Sequence, residues 1–307
     1  MAWSAKGIPD LSGRTALVTG ANGGLGLQTA HALAARGAHV IIAARSQTKA
    51  SAAEAAIRAS VDGARLEVQP LDLGSLQSVR RLAAAVFAGH DHLDLLINNA
   101  GVMGTPRMET ADGFELQIGT NHLGHFALTA LLMPRLLAAP AARVVAVTSF
   151  ARLYGGRMAA DDPHLREGYE PWRAYGRSKM ANLDFAVALD AKLRHVGASA
   201  MALAAQPGLS RTDLQATSVE LTGGGPSQRF FHGAAKLFGM DPDRGALSQL
   251  RAATDPEADG GQLYAPRWGT CGPPVVKSVA ERDPAELAAM WQVSERETGI
   301  DFSVALP

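Results

Sequence analysis

The 307 residues set 29 Lys+Arg against 29 Asp+Glu, so no net field draws the chain to nucleic acid or to an anionic membrane surface. Hydrophobic residues make up 47%, enough for a sizeable core, and the one cysteine, Cys271, excludes an intrachain disulfide and a cysteine-built zinc site. We read Cys271 as a buried or loop thiol without a role. Residues Met1 to Leu11 show neither the apolar stretch nor the cleavage site of a secretion signal. No apolar run approaches the roughly 20 residues that a membrane span needs. A cytoplasmic protein without a membrane span is expected, in one domain, because neither a linker nor an internal repeat interrupts the chain.

Arg14 to Gly20 is a short apolar run with β-branched residues that stops at a glycine; Ala21-Asn-Gly-Gly24-Leu-Gly26 follows, then a helical stretch to Arg36. Strand, glycine turn and helix in that order suit a dinucleotide. Gly20 permits the tight turn, Gly24 lets a pyrophosphate approach the backbone, Gly26 lets helix and strand pack closely, and the helix N-terminus faces the phosphates. A merely flexible turn also shows glycines; the placement between strand and helix favours nucleotide binding. A second strand, Ala38 to Ala44, ends about 20 residues past the glycines, where an acid selects NAD and an arginine accommodates the 2′-phosphate of NADP. Ala44 and Arg45 stand there, which points to NADP(H) over NAD(H). A solvated arginine at a strand end is the plain alternative, and it leaves the missing acid unexplained.

An alanine-rich helix (47–59) and a third strand (Arg65 to Leu71) lead to Asp72-Leu73. Ser75 can cap the next helix, to about Ala88, with Asp72 either a turn residue or a neighbour of the adenine. A fourth strand, Leu93 to Ile97, runs into Asn98-Asn-Ala100-Gly101 at the carboxyl edge of the sheet, along which ligands of open α/β sheets bind. Phe114 to Leu137 reads as a long helix with Asn121 among apolar neighbours, and Arg143 to Val147 as a strand ending in Thr148-Ser149. Gly155 to Pro171 is polar and turn-rich, so residues 150–171 read as an insertion.

The helix from Trp172 to His195 carries Tyr175 and Lys179 at i and i+4, where Cβ atoms lie about 5–6 Å apart. A fixed cation lowers a phenol's pKa from near 10 towards working pH, as a proton shuttle requires. Taken alone, the pair reads more plainly as a packed ring beside a solvated amine. Past the strand Ser199 to Ala205 come Pro207-Gly208 and a stretch, 209–240, whose glycines at 223–225 and apolar Phe230, Phe231, Leu237 and Phe238 suggest a flap on the substrate side, with a merely disordered loop the plain alternative. A helix from Pro242 to Thr254, a last strand from Gly261 to Tyr264, a connection through 265–274 and a helix from Pro284 to Thr298 follow.

Thr19-Gly-Ala-Asn-Gly-Gly-Leu-Gly26, Asn98-Asn-Ala-Gly101, Asn121, Ser149, Tyr175-x-x-x-Lys179 and Pro207-Gly208, in this order over nearly the whole chain, resemble the short-chain dehydrogenase/reductase superfamily. Ile8 to Arg14, the long gap from Ser149 to Tyr175 and the tail from Leu287 to Gly299 are similar to its branch of retinol dehydrogenases and the WW-domain-containing oxidoreductase. The resemblance implies an α/β, single-domain, doubly wound Rossmann fold over 1–307, with a central parallel sheet flanked by helices. It implies hydride transfer between a nicotinamide and a carbonyl or alcohol carbon of a small molecule, with no metal. Tyr175 would be general acid in reduction and base in oxidation, and Lys179 would lower its pKa and hold the nicotinamide ribose. Ser149 would bond the substrate oxygen and Asn121 would anchor a water of the proton relay. Gly20, Asn22, Gly24, Leu25 and Gly26 would hold the phosphates, Asp72 and Leu73 the adenine side, Asn98 and Ala100 the ribose region. Pro207 and Thr212 would close over the nicotinamide. The chain departs from the pattern at Gly23, where the family often has a polar residue. A non-catalytic nucleotide sensor is a second reading, opposed by the Tyr175/Lys179 pair. A double-bond reductase like the protochlorophyllide reductases is a third, opposed by the solitary Cys271. A homo-oligomer paired through the Asn121 and Tyr175 helices is possible unless the insertion covers that surface.

Overall fold

The computed structural model describes residues 3–210, 233 and 239–305. Most of the stretch expected as a flap, with Thr212, Phe230, Phe231, Leu237 and Phe238, lies outside the described residues.

Among the described residues eight strands form one sheet: β1 (Thr15–Thr19), β2 (His39–Ala44), β3 (Arg65–Pro70), β4 (Leu95–Asn98), β5 (Arg143–Val147), β6 (Met201–Ala205), β7 (Leu263–Pro266) and β8 (Pro274–Lys277). Their order is β3-β2-β1-β4-β5-β6-β7-β8. The first seven pair in parallel, and β8 runs antiparallel on β7. The sheet is therefore mixed rather than purely parallel. Residues 265–274 do more than connect: Gly269 and Gly272, at φ +83° and +100°, turn the chain back so that Val276 pairs with Tyr264. Pro266 and Pro274 face each other in the pair that closes this turn, past the β6 ladder and against the edge strand β8, where prolines are tolerated.

The strands alternate sides with period two. Leu17, Ile41, Leu96 and Val144 point to one face, covered by helices α3 (Leu76–Gly89), α5 (Gly124–Leu137), α7 (Pro171–His195) and α9 (Pro284–Thr298). Val18, Ile42, Ile97 and Val145 point to the other, beneath α1 (Gly24–Ala34), α2 (Gln47–Ser60) and α8 (Pro242–Thr254). Parallel strands buried on both faces read as continuous apolar runs, which is why they were visible in the sequence.

The helix expected over Phe114 to Leu137 starts as a single turn, α4 (Leu116–Ile118), capped by the Glu115 carboxylate, which accepts from the N–H groups of Gln117 (3.0 Å) and Ile118 (2.8 Å). A wider π turn, Gly119–Leu123, then carries Asn121 before α5 begins. Such turns interrupt α-helices mostly at functional positions. In the insertion, Arg152–Gly155 forms the short α6, and the loop beyond it is docked: Arg177 Nη1 donates to the Asp162 carbonyl (2.9 Å) and His164 Nε2 meets Glu297 Oε2 (3.0 Å). Trp291 of α9 packs on Phe126 of α5 (5.1 Å between ring centroids) and Phe185 of α7 (5.8 Å), with Phe302 beside it. Among the described residues no helix is long and apolar enough to cross a membrane.

Candidate active site

The strand order reverses between β1 and β4, and crevices at the carboxyl ends of such a switch point take ligands in doubly wound folds. A cavity of about 850 Å³ opens there. Gly20, Asn22, Gly24, Leu25, Gly26, Arg45, Asp72, Leu73, Ala100, Ser149, Tyr175, Lys179 and Pro207 all line it. Among the described residues two expected ones do not. Asn98, at the end of β4, follows the pleat of Leu96 and points under the sheet, where its Nδ2 donates to Thr129 Oγ1 of α5 (2.9 Å). Its neighbour Asn99 lines the cavity instead. Asn121 is wholly buried behind the wall: its Oδ1 accepts from the Val102 N–H (2.8 Å), and its Nδ2 donates to the Val102 carbonyl (2.9 Å) and to Ser178 Oγ (2.8 Å).

The glycine turn forms a cradle that side chains would fill. Gly20 holds φ +68° and Gly24 φ +51°, conformations open to glycine at little cost. A Cβ on Gly26 would stand 2.6 Å from Asn99 Nδ2. Bare backbone at the N-terminus of the eleven-residue α1 fits the pyrophosphate of a nicotinamide dinucleotide. Beside it, Ala43 and Ala44 contribute no charge, while Arg45, Ser46 and Lys49 line the outer end of the cavity. Ser46 caps α2 by accepting from the Lys49 N–H at 3.4 Å, which leaves its hydroxyl hydrogen free to donate. Asp72 proves to be both a turn residue and a cavity wall: its Oδ1 accepts from the Gly74 N–H (2.9 Å), while Ser75 caps α3.

At the inner end, α7 starts where Glu170 accepts from the N–H groups of Trp172 (3.0 Å) and Arg173 (2.5 Å), with Pro171 in the first helical position. One turn later Tyr175 and Lys179 face the cavity together, the Lys179 Nζ 5.8 Å from the Tyr175 ring centroid and donating to the Val147 carbonyl at 3.1 Å. Ser149 lies beside the Tyr175 phenol on the same cavity wall and acts to lower its pKa. Arg152 fixes the Ser149 turn, giving one Nη1 to the Ser149 carbonyl (2.9 Å) and to Gln206 Oε1; Gln206 Nε2 donates to the Gly269 carbonyl (3.0 Å) and so ties in Pro207-Gly208. Burial pushes the Tyr175 phenol up to about 12, with Ser149 pulling the other way, and brings Lys179 down to about 8. The phenol is thus raised rather than lowered as expected beside its lysine, because the dry surroundings penalise the charged form of both groups.

Sequence reasoning passed over Lys49, Asn99, and the aromatic Phe150, Tyr154 and Trp172 that line the substrate end. Lys49 had a signal, one helical turn past Arg45; the aromatics lie in the insertion and at the start of α7, where no periodicity announces a wall.

The chain matches the short chain dehydrogenase family over residues 14–221. It belongs to that family and to its retinol dehydrogenase-like branch. Human retinol dehydrogenase 13 is 42% identical over 205 residues, 66% of this chain and 61% of that protein, so the match spans about three fifths of the relative's length. Mouse polyprenol dehydrogenase is 40% identical over 259 residues, 82% of this chain and 75% of its own. A crystal structure of an uncharacterized protein from Mycobacterium Paratuberculosis superposes with a TM-score of 0.80 at 40% identity, covering 98% of this chain and 99% of that one.

Proposed function

We propose that the chain is an NADP(H)-dependent oxidoreductase that moves a hydride between nicotinamide and the carbonyl or alcohol carbon of a lipophilic small molecule. One observation carries the reading: a single cavity joins the glycine turn and Arg45 at one end to Ser149, Tyr175 and Lys179 at the other. Gly20, Asn22, Gly24, Leu25 and Gly26 hold the phosphates, Asp72 and Leu73 the adenine side, Ala100 the ribose region, and Arg45, Ser46 and Lys49 the 2′-phosphate. Pro207 would close over the nicotinamide, which would supply or take the hydride when bound. In reduction Ser149 holds the substrate oxygen and Tyr175 gives it the phenolic proton; in oxidation Tyr175 takes that proton back. Lys179 holds the ribose and steadies the phenolate. A phenol near 12 keeps its proton until an alkoxide of still higher basicity develops beside it. Asn121 acts through the backbone, fixing Val102 in the cavity wall.

Phe150, Tyr154 and Trp172 give the substrate end aromatic walls, which suit an apolar substrate. The relatives named above are called after retinol and polyprenol, both lipophilic alcohols. A cytoplasmic location and one domain over 1–307 belong to the same proposal. Any homo-oligomer pairs through a face other than that of Phe126 and Phe185, which Trp291 and Phe302 cover. The test is NADPH consumption against a panel of carbonyls: apolar aldehydes and ketones are turned over and small polar sugars are not. Preference for small polyols, or cofactor binding with no turnover of any carbonyl, overturns the reading.

A further inference from the structure

A buried hydrogen-bonded path joins the two grips on the turn that lines the cavity beneath Lys179. Thr19 closes β1, and its Oγ1 accepts from the backbone N–H groups of Asn99 (2.9 Å) and Ala100 (3.0 Å). Asn121 grips the far end of the same turn through both polar atoms of Val102. Between them lies His125, its Nε2 2.9 Å from Thr19 Oγ1 and its Nδ1 2.9 Å from the Asn121 carbonyl oxygen. His125 itself is buried and lies outside the cavity wall.

Counting protons fixes the ring. A carbonyl oxygen only accepts, so Nδ1 carries a hydrogen. Burial holds the imidazole neutral, its pKa brought down to about 3, and Nε2 is therefore a bare lone pair that must accept. The Thr19 hydroxyl gives its hydrogen to Nε2 at 2.9 Å in preference to the Ile97 carbonyl at 3.3 Å. Its two lone pairs then serve the Asn99 and Ala100 N–H groups, and each polar atom on the path has the partner its chemistry requires.

We propose that His125, in the neutral Nδ1–H tautomer, is a positioning residue that locks the Asn99–Val102 turn by joining the Thr19 grip to the Asn121 grip. The turn lies close beside the reacting groups: even a Cβ added at Gly101 would come to 3.4 Å from Lys179 Nζ, and the turn and the lysine line the same cavity. The functional part rests on the oxidoreductase reading above; the tautomer does not.

Nitrogen-15 NMR of the full chain labelled at histidine reads the tautomer without turnover. His125 should show a protonated Nδ1 and a bare Nε2 that do not titrate between about pH 5 and 8, where an ordinary histidine changes charge; an Nε2–H or titrating ring overturns the proposal. In kinetics, His125→Phe removes both bonds and should weaken NADPH binding and lower kcat by about tenfold each, while KM for an apolar carbonyl stays nearly constant. His125→Asn, which retains a donor for the Asn121 carbonyl, should recover part of both losses. In a Thr19→Val background, His125→Phe should add less than about twofold, because the path is already cut. Parent-like kcat and NADPH affinity in a folded His125→Phe protein, or full additivity with Thr19→Val, overturns the role. If circular dichroism shows the Phe variant unfolded, Thr19→Ser against Thr19→Val takes its place: serine must restore NADPH affinity and valine must not. If the parent reduces no carbonyl, the oxidoreductase reading fails by itself, while NADPH affinity across the variants still reports on the turn.

Discussion

Arg45→Ala should erase most of the preference for NADP(H). Arg45, Ser46 and Lys49 are all exposed, so their contacts with a 2′-phosphate are screened. An exposed ion pair contributes about 0.2–1 kcal/mol and a charge-assisted hydrogen bond about 1.5–3 kcal/mol. A guanidinium fork on a phosphate at this edge falls between them, at about 1.5 kcal/mol, or about tenfold in affinity. Lys49 is a point charge without the fork, and adds about 0.5 kcal/mol. The parent should therefore bind NADP(H) at least about tenfold more tightly than NAD(H). Ala44→Asp should reverse the order by supplying an acceptor for the ribose 2′-hydroxyl and repelling the phosphate. The assay is fluorescence titration of both cofactors into the parent, Arg45→Ala, Lys49→Ala and Ala44→Asp proteins at low and high salt. The NADP(H) margin should narrow with salt, since the Debye length falls from about 10 Å at 0.1 M to about 3 Å at 1 M. Equal affinities in the parent, or an unchanged ratio in Arg45→Ala, would show Arg45 to be only a solvated strand end.

Tyr175→Phe should abolish turnover and leave cofactor affinity nearly intact, because the ring stays and only the transferable proton goes; near-parental rates would refute the assignment. Lys179→Met should also abolish turnover, yet stabilise the cofactor-free protein at neutral pH. The folded lysine titrates near 8 against 10.5 for the free group, a penalty of about 3 kcal/mol, from which the lost bond to Val147 takes about 1 kcal/mol. That penalty is full below about pH 8 and fades as pH rises towards 10.5, since the folded chain releases its proton first. The stability gap between parent and variant should thus close in alkaline urea titrations, and a constant gap would refute the cause. Trp291→Ala should cost about 3–5 kcal/mol, the range for emptying an aromatic core site, and a loss under about 1 kcal/mol in urea would mean that α9 is not anchored through this ring.

What could be read beforehand was local. The β-branched runs, the glycine turn and the Tyr175/Lys179 spacing each depend on a few consecutive residues, and each stands where the sequence put it. The amide pair Asn98-Asn99 was ambiguous because two identical side chains adjoin, and only the pleat of β4 sends the first towards Thr129 and leaves the second for the cavity. The β7–β8 hairpin was hidden by its own composition, since glycines and prolines mark a loop and an edge hairpin alike. The direction of the Tyr175 shift differs from the expected one for another reason: the neighbouring charge is visible in the sequence, whereas the burial that raises the phenol comes from elements far along the chain.

The gap from Ser149 to Tyr175 shows how such non-local geometry is made. Neither residue's local structure brings the two together, since Ser149 follows a strand and Tyr175 belongs to the first turns of a helix beyond a docked loop. The contact is set by backbone against backbone. A Cβ on Gly155 of α6 would stand 2.6 Å from the Gly176 Cα, and one on Gly176 would stand 2.7 Å from the Gly155 nitrogen, both closer than packed atoms sit. Two glycines thus let α6 lie directly on α7 one residue past Tyr175. Arg152, in the same short helix, holds the Ser149 carbonyl while that contact holds the helix. The approach of Ser149 to the Tyr175 phenol is then a consequence of helix packing, and any side chain at position 155 or 176 would separate them by pushing the two helices apart.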